Sequence, residues 1–172
     1  MTVAQQPENG SHQLWVIDTS SLLAVREIYG ASRERAVFVA LSKYATRRKL
    51  FYPPEVWREL ERAAESQTNP DAALKWVREH RHCSERAADG ATIRRVLAKV
   101  PELLDVDNPN EQADCYVLAV GVDLSVGGFD VCIITDDRRD KGQHISLATA
   151  TGMFRLPNVP LHAFVRGEGV LE

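Results

Sequence analysis

Leu14-Trp15-Val16-Ile17-Asp18-Thr19-Ser20-Ser21 decides the reading of this chain. Four apolar residues in a row suit a strand buried on both faces of a parallel sheet. The run stops at an acid and three hydroxyl residues, a composition that opens a helix. Val131-Cys132-Ile133-Ile134-Thr135-Asp136-Asp137 repeats the pattern more than a hundred residues later. Ligands of open α/β sheets bind outside the carboxyl ends of the strands, so two acidic turns at strand ends fall at one edge. Either turn alone is also explained by an Asp that caps the following helix.

Outward from the first strand, Leu22, Leu23, Val25 and Ile28 predict a helix that Gly30 ends, and a second helix spans about 32–48. Leu50-Phe51-Tyr52 is a short strand. Pro53-Pro54 starts a helix with Val56, Trp57 and Leu60. The stretch Gln67–Asp71 breaks that helix, and Asp71 caps another carrying Leu74, Trp76 and Val77. A further helix is expected over 85–99 and a loop from Pro101 to Asn110. Asn108-Pro109-Asn110-Glu111 resembles a capping box opening the helix of Asp114, one turn in, and Tyr116. Gly127, Gly128 and Asp130 turn into the second strand. A late helix near 143–151, a short segment Phe154–Leu156, and Val159–Val165 follow. Strands alternating with helices predict an α/β fold with a central, mainly parallel sheet flanked by helices in three layers. The expected organisation is a polar leader over 1–12, one domain over 13–166 and a tail over 167–172.

The chain's 172 residues suit one domain, and 44% hydrophobic and 26% charged residues lie in the ordinary globular range. No apolar run is long enough to cross a bilayer, and no basic-then-apolar leader opens the chain, so a cytoplasmic protein is expected. The cysteines Cys83, Cys115 and Cys132 are odd in number and far apart, as free thiols are. Formal net charge is −3, which does not advertise a polyanion binder, although an acidic metal centre would itself lower the total. His80-Arg81-His82-Cys83 has no second ligand pair and makes a poor zinc site. Trp15, Trp57 and Trp76 sit in apolar-patterned elements, as packing residues do. No histidine stands in a motif relation to Ser20, so a nucleophilic serine is not indicated.

Several acids without an organised Cys or His set point to a hard cation. Mg²⁺ and Mn²⁺ take oxygen ligands, and Mg²⁺ keeps several waters. Such ions activate water and stabilise charge on phosphoryl oxygens, so phosphodiester hydrolysis is the chemistry that suits them.

The motifs resemble those of the PIN (PilT N-terminal) domain family. Val16-Ile17-Asp18-Thr19-Ser20-Ser21 is similar to its opening strand and first motif. Pro54-Glu55-Val56-Trp57-Arg58-Glu59-Leu60 resembles the second, with Glu59 matching the acid. Ala113-Asp114-Cys115-Tyr116-Val117-Leu118-Ala119 resembles the third, with Asp114. Ile134-Thr135-Asp136-Asp137 resembles the fourth and favours Asp137 over Asp136. The resemblance spans about 14–165, and a helical stretch near 72–83 is additional to many members.

The resemblance implies a Mg²⁺- or Mn²⁺-dependent endoribonuclease, often the toxin of a VapC-like toxin–antitoxin pair, homodimeric and silenced by an antitoxin protein. Asp18, Glu59, Asp114 and Asp137 would be the catalytic metal ligands, with Asp136 as a further candidate. Thr19, Ser20 and Thr135 would orient them or their waters. Arg138, Arg139 and Lys141 would contact RNA phosphates. The rival readings are a catalytically silent PIN-like module that binds RNA or protein, and a haloacid-dehalogenase-like phosphatase. Ser20 stands where the phosphatase motif needs its second acid.

Overall fold

Two five-residue strands lie side by side at the centre of a computed structural model that describes residues 13–65 and 72–169. They are β1 (Gln13–Ile17) and β3 (Asp130–Ile134), parallel and in register from Gln13 opposite Asp130 to Ile17 opposite Ile134. β2 (Leu50–Phe51) pairs with β1, and β4 (Asn158–Val159) pairs with β3, also parallel. The sheet order is β2-β1-β3-β4. Val16, Ile17, Ile133 and Ile134 are fully buried, as the continuous apolar runs require of strands covered on both faces.

Helices cover the two faces. α1 (Thr19–Thr46) follows β1 and is broken at Gly30, whose φ of 71° only glycine adopts at ease. The expected pair of helices is present as the two segments of α1 on either side of Gly30. α2 (Pro54–Glu65) and α3 (Ala72–Ser84) come next, then α4 (Gly90–Lys99), a 3₁₀ turn (Pro101–Leu103) and α5 (Asp114–Val126). α6 (Leu147–Met153) and α7 (Leu161–Gly167) flank β4. α5 lies so close to β3 that a Cβ on Gly121 would stand 2.6 Å from Ile133 Cδ1. On the opposite face Trp15 packs edge-on against Phe164 of α7, ring centroids 4.7 Å apart, and Tyr44 of α1 meets the same ring at 5.2 Å. The result is the expected three-layer α/β architecture.

Several local expectations fail for non-local reasons. The helix expected over 85–99 begins only at Gly90, where Asp89 accepts bonds from the amides of Ala91 and Thr92. Glu85 instead bridges Tyr52, with Tyr52 N donating to Ser84 O and Arg86 N to Tyr52 O. That segment covers backbone groups that the edge strand β2 would otherwise leave bare. The strand expected to include Tyr52 ends at Phe51, and the buried Tyr52 hydroxyl donates to Val77 O at 2.6 Å. The capping box at Asn108 does not form. Asn108 Oδ1 accepts from Asn110 N in a local turn, the competing use of a short polar side chain. Gln112 closes the loop by bonding both N and O of Asp105 at 2.8 Å, and part of the expected 101–110 loop is the 3₁₀ turn. The late helix is displaced to Leu147–Met153, where Ser146 caps it through Thr149 N, and 154–156 leads directly into β4. α7 runs to Gly167, and Tyr44 donates to Glu168 at 2.5 Å, so packed chain continues past 166. The leader 1–12, the break at 67–71 with its Asp71 cap, and the end of the tail lie outside the described residues, except that 167–169 are described.

The expected packing roles hold for the tryptophans. Trp76 is buried, and Trp57 is half-buried beneath the Arg81 guanidinium at 4.7 Å. His80 stacks on Trp76 and Cys83 bonds His80 O, so the His80–Cys83 run packs α3. All three cysteines are free thiols. No helix among the described residues is long and apolar enough to cross a membrane.

Candidate active site

β1 and β3 run parallel and in register, so Asp18 and the Thr135-Asp136-Asp137 turn emerge together at the carboxyl edge of the sheet. Asp18 occupies the position before the first turn of α1, yet its carboxylate makes no capping bond. It is 1% exposed. Its Oδ2 accepts the Ser20 hydroxyl at 2.5 Å and the Thr135 hydroxyl at 3.0 Å, whereas Oδ1 is buried with no partner. Ser20 Oγ also accepts from the amides of Asp136 and Asp137, both at 3.1 Å. Two N–H donors fill the acceptor side of this hydroxyl, so its one proton points at Asp18.

The two neighbouring aspartates of the β3 turn part company. Asp137 Oδ2 accepts from Leu147 N at 2.7 Å, which ties it to the start of α6. Asp136 Oδ2 accepts the Ser21 hydroxyl at 2.5 Å and Leu161 N at 3.1 Å, which binds β3 to α1 and α7. Asp137 contributes to the field on Asp18 and Asp114; Asp136 does not. Asp136 thus uses one carboxylate oxygen to tie β3 to α1 and α7.

Asp114 is the first residue of α5, not one turn in as its expected capping box implied. α5 has no side-chain cap of its own; Glu59 of α2 supplies a contact there, Oε1 accepting Ala113 N at 2.8 Å. A tertiary bond from one candidate ligand thus sets the start of the helix that carries another. Thr19, expected to orient the acids, bonds none of them, and its hydroxyl is buried without a partner. Ser20 and Thr135 do bond Asp18. Arg138 donates to Asn158 Oδ1 at 2.8 Å. Arg139 is exposed, and Lys141 engages His144 through backbone alone.

Electrostatics unify Asp18, Glu59, Asp114 and Asp137. Burial raises the Asp18 pKa to about 6, the Ser20 hydroxyl pulling down and the charges of Glu59 and Asp137 pushing up. Burial also holds Asp114 well above the usual carboxylate range, reinforced by Asp18, Asp137 and Glu59. No cation enters either balance, and none of the four acids has an ion-pair partner among the described residues. A buried carboxylate needs a partner or a proton. Four acids with no protein cation, one of them with an orphaned buried oxygen, form a donor set that fits a hard divalent ion. Among the described residues no three such side chains are gathered tightly enough to cage an ion directly. An ion held here would keep part of its water shell, as Mg²⁺ does.

Sequence reasoning missed Asn158, Gln112 and Glu111 as the residues that shape the rim. No local pattern marks them: Asn158 and Glu111 act through partners in other elements, and Gln112 closes its loop across seven residues. Compared with known proteins, the chain matches no protein-family model, no curated protein and no solved structure.

Proposed function

We propose that the chain is a metal-dependent endoribonuclease of PIN type, with Asp18, Glu59, Asp114 and Asp137 as the acids that hold Mg²⁺ or Mn²⁺. The observation that carries this is a set of four electrostatically coupled carboxylates, two of them following the strands β1 and β3, with no ion-pair partner among the described residues. When bound, such ions supply water activation and stabilise charge on the phosphoryl and leaving-group oxygens. The chain's own residues do the positioning. Ser20 and Thr135 turn their protons to Asp18 Oδ2 and leave Oδ1 as the donor. Glu59 spends Oε1 on Ala113 N, and Asp137 spends Oδ2 on Leu147 N, so each keeps one oxygen for a ligand. The Ser20 and Thr135 hydroxyls are engaged in holding Asp18, which suits direct hydrolysis without a covalent intermediate. A cytoplasmic toxin, homodimeric and neutralised by an antitoxin protein, is the biological setting that goes with this reading.

The test is cleavage of a mixed RNA pool with Mg²⁺ or Mn²⁺, wild type against Asp18→Asn and Asp114→Asn. Metal-dependent cutting lost in both variants and in chelator supports the proposal. Folded wild type that never cuts, or variants that cut equally well, would leave the silent binding module as the better reading.

A further inference from the structure

A polyanion can lie over four carboxylates only where cations hold it from the sides. Two arginines close in sequence to candidate acids are each pinned by a neutral acceptor. Arg62 lies three residues after Glu59 on α2, and residues so spaced share a helix face. Its Nη2 donates to Glu111 O at 2.6 Å, two residues before the Ala113 amide that Glu59 binds. Arg138 follows Asp137 directly, and its Nη1 donates to Asn158 Oδ1 at 2.8 Å. Asn158 is itself held by Nδ2 bonds to Thr151 Oγ1 at 2.7 Å and Ala148 O at 3.2 Å.

The kind of acceptor matters. A carbonyl or amide oxygen fixes a guanidinium without cancelling its charge, and one bond leaves four of its five N–H donors available. Other arginines of α2 and α3 are spent differently: Arg58 pairs with Glu55 and Glu111, Arg78 with Glu61, and Arg81 with Glu85. The two arginines also belong to different parts of the fold. α2 follows β2 at one end of the sheet order, Asn158 belongs to β4 at the other, and Asp18 and Asp137 end the strands between.

We propose that Arg62 and Arg138 bind phosphates on either side of the acidic centre, so that a single nucleic-acid strand crosses the sheet edge from α2 to β4. This rests on the nuclease reading for its ligand, a phosphodiester backbone, and it selects Arg138 from the three cations that follow the fourth acid. Arg139 and Lys141 have no comparable side-chain anchor among the described residues.

The experiment is binding of a short fluorescein-labelled single-stranded RNA, and of a DNA of the same sequence, in chelator across a salt series. Each phosphate contact contributes about 0.7 to the slope of log affinity against log salt for single strands. Arg62→Gln and Arg138→Gln should each flatten the slope by about 0.7, and the double variant by about 1.4, on both strands. Arg62→Lys and Arg138→Lys should restore it, and Arg58→Gln and Arg139→Gln should leave it unchanged. A weaker affinity with unchanged slope assigns the arginines a structural role and overturns the proposal, as does Arg139→Gln matching Arg138→Gln. Wild type that binds neither strand also overturns it. Strand binding with the expected slopes but no metal-dependent cutting upholds this proposal and sinks only the catalytic one.

Discussion

Glu55 and Glu59 stand one turn apart on α2 and belong to two opposite kinds of acidic region. Glu55 is largely buried, which raises its pKa, and Arg58 works against that rise from 3.3 Å. Arg58 also reaches Glu111 at 3.0 Å, and Tyr116 donates to the same Glu111. This outer region thus holds its acids with a cation and a hydroxyl of the protein itself. Glu59 instead adds its charge to those acting on Asp18 and Asp114, and around these acids and Asp137 the donors are hydroxyl and amide groups. Four spacings along one helix separate an acid that binds the protein to itself from an acid left for something else. The difference teaches that the count of acids says little, and that the identity of their partners says what the region is for.

The comparison breaks most visibly in catalysis. Removing outer-shell partners of a metal centre costs about 10–100-fold, so loss of a ligand should cost at least about 100-fold. Asp114→Asn should therefore abolish cleavage, measured as initial rate at saturating Mn²⁺, while a thermal melt shows a folded protein. Ser20→Ala removes a donor to Asp18 and the acceptor of two amides, so a loss of about 10–100-fold is expected, recoverable in part at higher metal concentration.

A third test needs no activity. The folded pKa of Asp18, about 6, lies above the ordinary aspartate value of 3.8, so the fold prefers the protonated acid. Asp18 therefore destabilises the metal-free protein above about pH 6, and that penalty fades as pH falls through 6 towards 4. Asp18→Asn should raise metal-free stability at pH 7.5 by about 2 to 3 kcal/mol, and the gap should close at pH about 4. Mn²⁺ should stabilise wild type more than the variant. An Asp18→Asn protein less stable than wild type throughout would mean that the inner acids are already satisfied.

The smallest effect belongs to the outer region. Arg58 is 46% exposed at its side chain, and exposed pairs contribute about 0–1 kcal/mol. Arg58→Gln should cost under about 1 kcal/mol in denaturant unfolding and leave the cleavage rate near wild type. A large loss of cleavage would mean that the two regions work as one.

The sequence was legible where the information is local. Leu14–Ile17 and Val131–Ile134 are too short and too continuously apolar to be surface elements, and they became the paired central strands. Pro54, Gly30 and the helix of Trp76 also stood where their residue types predicted. Asn108–Glu111 misled because its capping pattern is equally a turn pattern, and Gln112 and Arg58 chose the turn. Residues 85–89 misled because an unpaired strand edge outweighs modest helix propensity.

By itself, the amino-acid sequence determined the α/β class, the parallel sheet and the placing of acids at two strand ends, because periodicity and chain punctuation are short-range properties. Only the tertiary structure gave Asp136 and Asp137 different partners, left Asp18 Oδ1 buried and unpartnered, bonded Glu59 to the start of α5, and pinned Arg138 on Asn158. The physical reason is that a carboxylate's role depends on which donors and charges surround it, and those arrive from elements that are distant in sequence.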